Sequence, residues 1–105
     1  MAQRTVDINI SDNVKKYVEE ISKKFEIEAV YLFGSYAKGT NSEDSDIDIA
    51  VVLRSEENTF DIMVDLMLLT QNIDLRIEPH PIKTEDFENG NPFIHEIIET
   101  GIKVA

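Results

Sequence analysis

Two aspartates, Asp46 and Asp48, stand at the head of an otherwise apolar run, Asp46-Ile47-Asp48-Ile49-Ala50-Val51-Val52. In an extended chain alternate side chains share a face. The two carboxylates therefore project together, roughly 6–7 Å apart at their Cα atoms for a rise of ~3.3 Å per residue, while Ile47, Ile49 and Val51 turn to a core. Two like charges in such a setting repel each other and resist desolvation, and a divalent cation resolves both conflicts. Mg²⁺ is hard, prefers oxygen donors, and binds one or two carboxylates together with substrate phosphates. The preceding apolar run ends in Leu32-Phe33-Gly34-Ser35-Tyr36-Ala37-Lys38-Gly39-Thr40. Gly34 allows backbone N–H groups to approach a phosphate closely, and Ser35 adds a hydroxyl donor. Lys38 adds a positive charge, and Gly39 permits another tight turn. A phosphate cradle and an acidic metal site joined by one short loop suit phosphoryl or nucleotidyl transfer.

Activating an attacking hydroxyl calls for a third carboxylate. The segment Asn72 to Glu78 offers Asp74, Arg76 and Glu78 on one face of an extended chain, alternating with Ile73, Leu75 and Ile77. Asp74 is the better placed, at the start of its strand as Asp46 is, whereas Glu78 abuts Pro79. Two near matches fail on their own chemistry. Gly34 through Thr40 departs from a P-loop because Thr40 stands where the lysine belongs. Asp44, Asp46 and Asp48 open like an EF-hand loop, but Ile49 replaces its glycine and Ser55 its bidentate glutamate. His80 and His95 have no zinc spacing and read as surface or capping residues.

The elements that must position these groups follow from periodicity. Ser11 and Asp12 can cap a helix whose apolar positions are Val14, Tyr17, Val18, Ile21 and Phe25. Glu28 to Phe33 reads as a buried strand, 34–45 as a loop, Asp46 to Leu53 as a second strand and Thr59 to Thr70 as a mostly apolar helix. Asn72 to Glu78 reads as a third strand stopped by Pro79 and Pro81. Asn91 as N-cap, Pro92 at the first helical position and Gly101 just past the end delimit a last helix, with a short strand over 102–104. The expected fold is α+β: one domain over residues 1–105, a small mixed sheet with helices packed on one face.

Length and charge narrow the function. The chain has 105 residues, suited to a single domain, and no cysteine, which excludes disulfides and thiolate chemistry and makes the cytoplasm the expected compartment. No apolar run approaches the ~20 residues of a membrane span, and the first seven residues carry no apolar leader. Residues 1–40 hold six acids and six bases; residues 41–105 hold fifteen acids and four bases, and so the whole net charge of −11. That surface repels nucleic acid, whose affinity comes from Lys and Arg at phosphates.

The pattern of hydrophobic-Gly-Ser, ten intervening residues (Tyr36 to Ser45), then Asp-hydrophobic-Asp-hydrophobic resembles the signature of the DNA polymerase beta-like nucleotidyltransferase superfamily. Gly34 to Thr40 with Ser45 to Val51 most resembles its minimal nucleotidyltransferases, the MNT proteins of prokaryotes, and the likeness runs through the whole chain. The resemblance implies a nucleotidyltransferase palm with Asp46, Asp48 and Asp74 as catalytic metal ligands, and with Gly34 and Ser35 holding the nucleotide phosphates. Lys38 stands where many relatives have arginine. The implied reaction transfers a nucleoside monophosphate, AMP from ATP with Mg²⁺, to an acceptor hydroxyl. Larger members append domains that complete the site, so a partner or a second copy of this chain is expected to help. MNT proteins pair with HEPN toxins, and the resemblance implies adenylylation of a tyrosine on such a partner. The alternatives are neutralisation of the toxin by binding and occlusion alone, and a small-molecule adenylyltransferase of the aminoglycoside type, which the absence of an acceptor-binding domain disfavours.

Overall fold

The computed structural model describes residues 8–42 and 44–105; the segment 1–7, expected to carry no leader, lies outside them. Helix α1 (Ile8–Lys24) begins a turn before the expected cap at Ser11 and Asp12. It buries Val14, Tyr17 and Ile21, with Phe25 closing the stripe just beyond its end. The Tyr17 hydroxyl donates to the Leu66 carbonyl at 2.8 Å, and burial pushes that phenol above its ordinary range. Strand β1 (Glu26–Phe33) runs into a one-turn helix, α2 (Ser35–Lys38), and the chain returns as β2 (Ile47–Arg54). Helix α3 (Thr59–Leu68) starts on Asn58, whose side chain accepts from the Asp61 amide. Strand β3 (Ile77–Lys83) leads into α4 (Thr84–Asn89). Asn91 caps α5 (Pro92–Thr100), and β4 (Ile102–Lys103) ends the sheet.

The sheet order is β3-β2-β1-β4. β1 pairs antiparallel with β2 and β4, whereas β2 and β3 run parallel. This is the expected α+β fold with a mixed sheet, but two expectations change. The helices do not share one face. Tyr17, Ile21, Ile62 and Leu66 of α1 and α3 cover Val30, Leu32, Ile47, Ile49, Val51, Leu53 and Ile77. Ile94 and Ile97 of α5, with Phe87 of α4, cover Ala29, Ala50, Val52 and Ile82 on the other side. β2 is apolar on both faces apart from Asp48 and the terminal Arg54, and a strand of that kind needs cover on both.

The third strand also lies later than expected, over 77–83 rather than 72–78. Residues 70–76 form turns instead, with the Ile73 and Asp74 amides both donating to the Thr70 carbonyl at 3.0 Å. Leu75, expected on the apolar face with Ile73 and Ile77, is 78% exposed. Pro79 and Pro81 do not stop the strand because β3 is an edge, where a missing N–H removes no ladder bond. Among the described residues no helix is long and apolar enough to cross a membrane.

Candidate active site

The face covered by α5 carries the site, where β1 ends and β2 and β3 begin. Antiparallel register sets Phe33 opposite Asp48, and parallel register sets Asp48 opposite Glu78. Alternation along β3 then returns His80 to the same face, two residues beyond Glu78. His80 Nε2 lies 3.2 Å from Asp48 Oδ1 and 4.0 Å from Glu78 Oε1. One donor atom from each of Asp48, Glu78 and His80 falls within 4.8 Å of the others. Asp46 is exposed at the end of the loop before β2 and reaches Glu78 as well. A hydrogen bond with Asp46, then burial, then the charge of Asp48 hold the Glu78 carboxyl above its ordinary value, with His80 opposing them. Carboxylates crowded in this way suit a bound cation, and the oxygen-rich donor set fits a divalent ion.

The Gly34–Ser35 turn is built against this cluster. Gly34 has φ 73° and ψ −150°, a conformation essentially reserved for glycine. A Cβ there would collide with Asp48 Oδ2. Gly34 therefore serves the acidic site as well as any phosphate approach, since its missing side chain leaves room for the Asp48 carboxylate. Ser35 opens α2, whose first N–H groups have no partner within the helix. Gly39 closes α2 in the left-handed region at φ 76°. Lys38 is an exposed cation paired with Glu96 of α5 at 3.2 Å, within reach of the loop but engaged away from the carboxylates.

Asp46 and Asp48 both border Glu78, but Asp74 does not join them. Its carboxylate is clamped by Arg76, Nε to Oδ1 at 3.0 Å and Nη2 to Oδ2 at 2.8 Å, and accepts from Asn13 Nδ2 of α1 at 3.0 Å. Arg76 Nη1 also leans toward the Tyr36 hydroxyl at 3.5 Å. Asp74 and Arg76 therefore tie the entry of β3 to α1 and α2, and Glu78 occupies the position beside Asp48. The sequence reading missed His80 as well. The available signal was its i, i+2 spacing from Glu78, which becomes informative once the strand extends through both prolines. His95 is exposed.

The clamp has a consequence for acid stability. The Arg76 guanidinium holds the Asp74 carboxyl down to about 2, from an ordinary 3.8. A depressed carboxylate stabilises the fold fully above its ordinary value and loses that contribution as pH falls through about 2. With Arg76 partly exposed, the effect is about 1–2 kcal/mol. Asp74→Asn should therefore be less stable than wild type by about that amount at pH 7, with the gap closing toward pH 2, while transfer activity survives. Urea melts across pH, run beside a transfer assay, check both halves.

Known proteins resemble this chain in sequence and in fold. The family description "Polymerase beta, Nucleotidyltransferase" matches residues 15–105. The chain is 28% identical over 92 residues to "Putative protein adenylyltransferase MJ1379" of Methanocaldococcus jannaschii, spanning 86% of this chain and 88% of that one. It is 38% identical over 61 residues to "Putative protein adenylyltransferase MJ0604" of the same organism, spanning 56% and 58%. The crystal structure of a "putative nucleotidyltransferase" from Sulfolobus solfataricus superposes with TM-score 0.69 at 26% identity, covering 91% of this chain and 79% of that one. A toxin-antitoxin structure with AMP-PNP superposes with TM-score 0.63 at 21% identity, covering 90% and 72%, a likeness of fold. The matched span contains the Gly34–Ser35 turn and every carboxylate gathered around Asp48, and so the chain belongs to the polymerase beta nucleotidyltransferase family and is an enzyme of that class.

Proposed function

We propose that the chain transfers AMP from ATP to a protein hydroxyl, and that the acceptor is a tyrosine on a HEPN-type toxin. The observation that carries this reading is the convergence of Asp46, Asp48 and Glu78 beside the Gly34–Ser35 turn. These carboxylates would hold a divalent ion such as Mg²⁺, which would supply charge neutralisation for the triphosphate and the reacting phosphoryl group. Gly34 and Ser35 hold the phosphates with backbone N–H groups, and Lys38 turns from Glu96 to add a positive charge. In the transfer, the acceptor oxygen bonds to the α-phosphorus, the bond to the β-phosphate bridge breaks, and pyrophosphate leaves as the hydroxyl proton is released to solvent.

A protein acceptor is supported by the names of the relatives, which describe protein adenylyltransferases, and by the toxin-antitoxin neighbour with AMP-PNP. Surface chemistry agrees. The chain carries a net charge of −11, and α3 exposes Phe60 (75%) and Leu68 (55%). An acidic surface with uncovered apolar side chains suits a basic partner, and complementary charge speeds encounter at low salt.

The test is intact mass spectrometry of a HEPN toxin after incubation with this chain, ATP and Mg²⁺. The expected result is the added mass of one or more AMP groups, localised to tyrosine and lost in Asp48→Asn. A tight complex with no added mass, and toxin inhibition that persists in the Asp46→Asn, Asp48→Asn and Glu78→Gln variants, would instead establish neutralisation by occlusion.

A further inference from the structure

We propose that His80 is a nitrogen ligand of the metal site and makes it favour Mn²⁺ over Mg²⁺, an inference that rests on reading the Asp48 cluster as that site. Three features of the structure carry it. The first is spacing. His80 Nε2 is 3.2 Å from Asp48 Oδ1 and 4.0 Å from Glu78 Oε1. Two donors each bonded at about 2.1 Å to one ion lie roughly 3–4.2 Å apart, from adjacent to opposite corners of an octahedron.

The second is rigidity. The imidazole packs edge-on against Phe33, centroids 5.0 Å apart, and tilts on Phe93 at 6.4 Å. Phe33 and Phe93 in turn meet edge to face at 5.6 Å. Pro79 and Pro81 flank His80 and restrict the backbone on both sides, Pro81 holding His80 itself in the extended region. The ring is therefore held toward the carboxylates by apolar walls and a stiff edge strand.

The third is donor chemistry. Carboxylates accept both Mg²⁺ and Mn²⁺, whereas a nitrogen donor is taken more readily by first-row transition ions, of which Mn²⁺ is the weakest binder, than by the hard, oxygen-seeking Mg²⁺. A nitrogen donor adds to whatever preference the oxygen donors set. His80 breaks the symmetry between the two ions at the residue that also orients Asp48.

The experiment uses the full chain with Mn²⁺ alone and Mg²⁺ alone. Calorimetric titration gives the two affinities, and pulsed electron paramagnetic resonance of the bound Mn²⁺ reads nitrogen hyperfine coupling. In wild type we expect Mn²⁺ to bind at least about ten-fold tighter than Mg²⁺, with clear nitrogen coupling. In His80→Gln the coupling should vanish and Mn²⁺ affinity should fall several-fold, with Mg²⁺ affinity held within about two-fold. Absence of nitrogen coupling in wild type overturns the proposal whether or not the variant folds. Equal loss of both affinities in His80→Gln also overturns it, and leaves His80 as a positioning residue that acts through its hydrogen bond to Asp48. Mn²⁺ binding that is unchanged in Asp48→Asn rejects the metal site itself, a failure distinct from that of the His80 assignment.

Discussion

Asp48→Asn is expected to lower nucleotidyl transfer by about 10²–10³-fold or more while the fold persists. A metal ion that stabilises charge in the transition state contributes several kcal/mol, and each 1.36 kcal/mol is about ten-fold in rate. Asp48 is the carboxylate that Gly34, Glu78 and His80 all face, so its loss removes the centre of the cluster. Asp46→Asn should act in the same direction through Glu78. The metal-free Asp48→Asn protein should also be at least as heat-stable as wild type at pH 7. Glu78 titrates above its ordinary value in the fold, partly because of Asp48. A raised carboxyl favours the folded state while protonated and destabilises it as pH rises through the folded value. Removing the Asp48 charge relieves that cost, and the gain should shrink near pH 4. Single-turnover kinetics and melting curves at both pH values check these outcomes. Wild-type turnover in the variant would end the carboxylate mechanism.

Gly34→Val should abolish binding of both Mg²⁺ and ATP, a larger effect than blocking a phosphate would produce by itself. At φ 73° a β-branched residue is strained by about 1–3 kcal/mol, and its Cβ would occupy the space of Asp48 Oδ2. The substitution therefore displaces the Asp48 carboxylate and narrows the proposed phosphate approach together. Gly39→Ala is the matched control. It shares a positive φ of 76°, but a Cβ there meets nothing within 4 Å. It should cost about 1 kcal/mol of stability and leave nucleotide binding near wild type. Ser35→Ala should weaken ATP by no more than ~0.5–1.5 kcal/mol, the contribution of one neutral hydrogen bond. Calorimetry with Mg²⁺ alone and then with ATP and Mg²⁺ separates the effects. Metal affinity that survives Gly34→Val would show that the Asp48 carboxylate can move aside.

Much of this site could be read before folding. Period-two alternation placed Asp46 and Asp48 on one face of an apolar strand, and a Gly-Ser turn ending the preceding strand marked the proposed phosphate side. Those signals are local, as are the Asn58 and Asn91 caps and Pro92 at the start of α5. The same rule applied to Asn72–Glu78 misplaced a strand, because Pro79 and Pro81 look like stops unless the strand is known to lie at an edge. Local alternation also could not separate Asp74 from Glu78, since both fall on even positions of one segment.

What the sequence by itself determined was a set of candidates: two carboxylates at a strand head, a Gly-Ser turn before them, and a likeness to the polymerase beta family. What only the tertiary structure decided was which distant groups complete it. Parallel pairing of β2 with β3 set Glu78 opposite Asp48 and brought His80 beside them. Asn13, 61 residues from Asp74 in the chain, helped Arg76 draw that aspartate into a structural clamp. The physical reason is register. A shift of one residue between paired strands would send Glu78 and His80 to the opposite face. That choice is made by the apolar packing of Ile47, Ile49 and Ile77 beneath α1 and α3, and not by the residues that carry the chemistry.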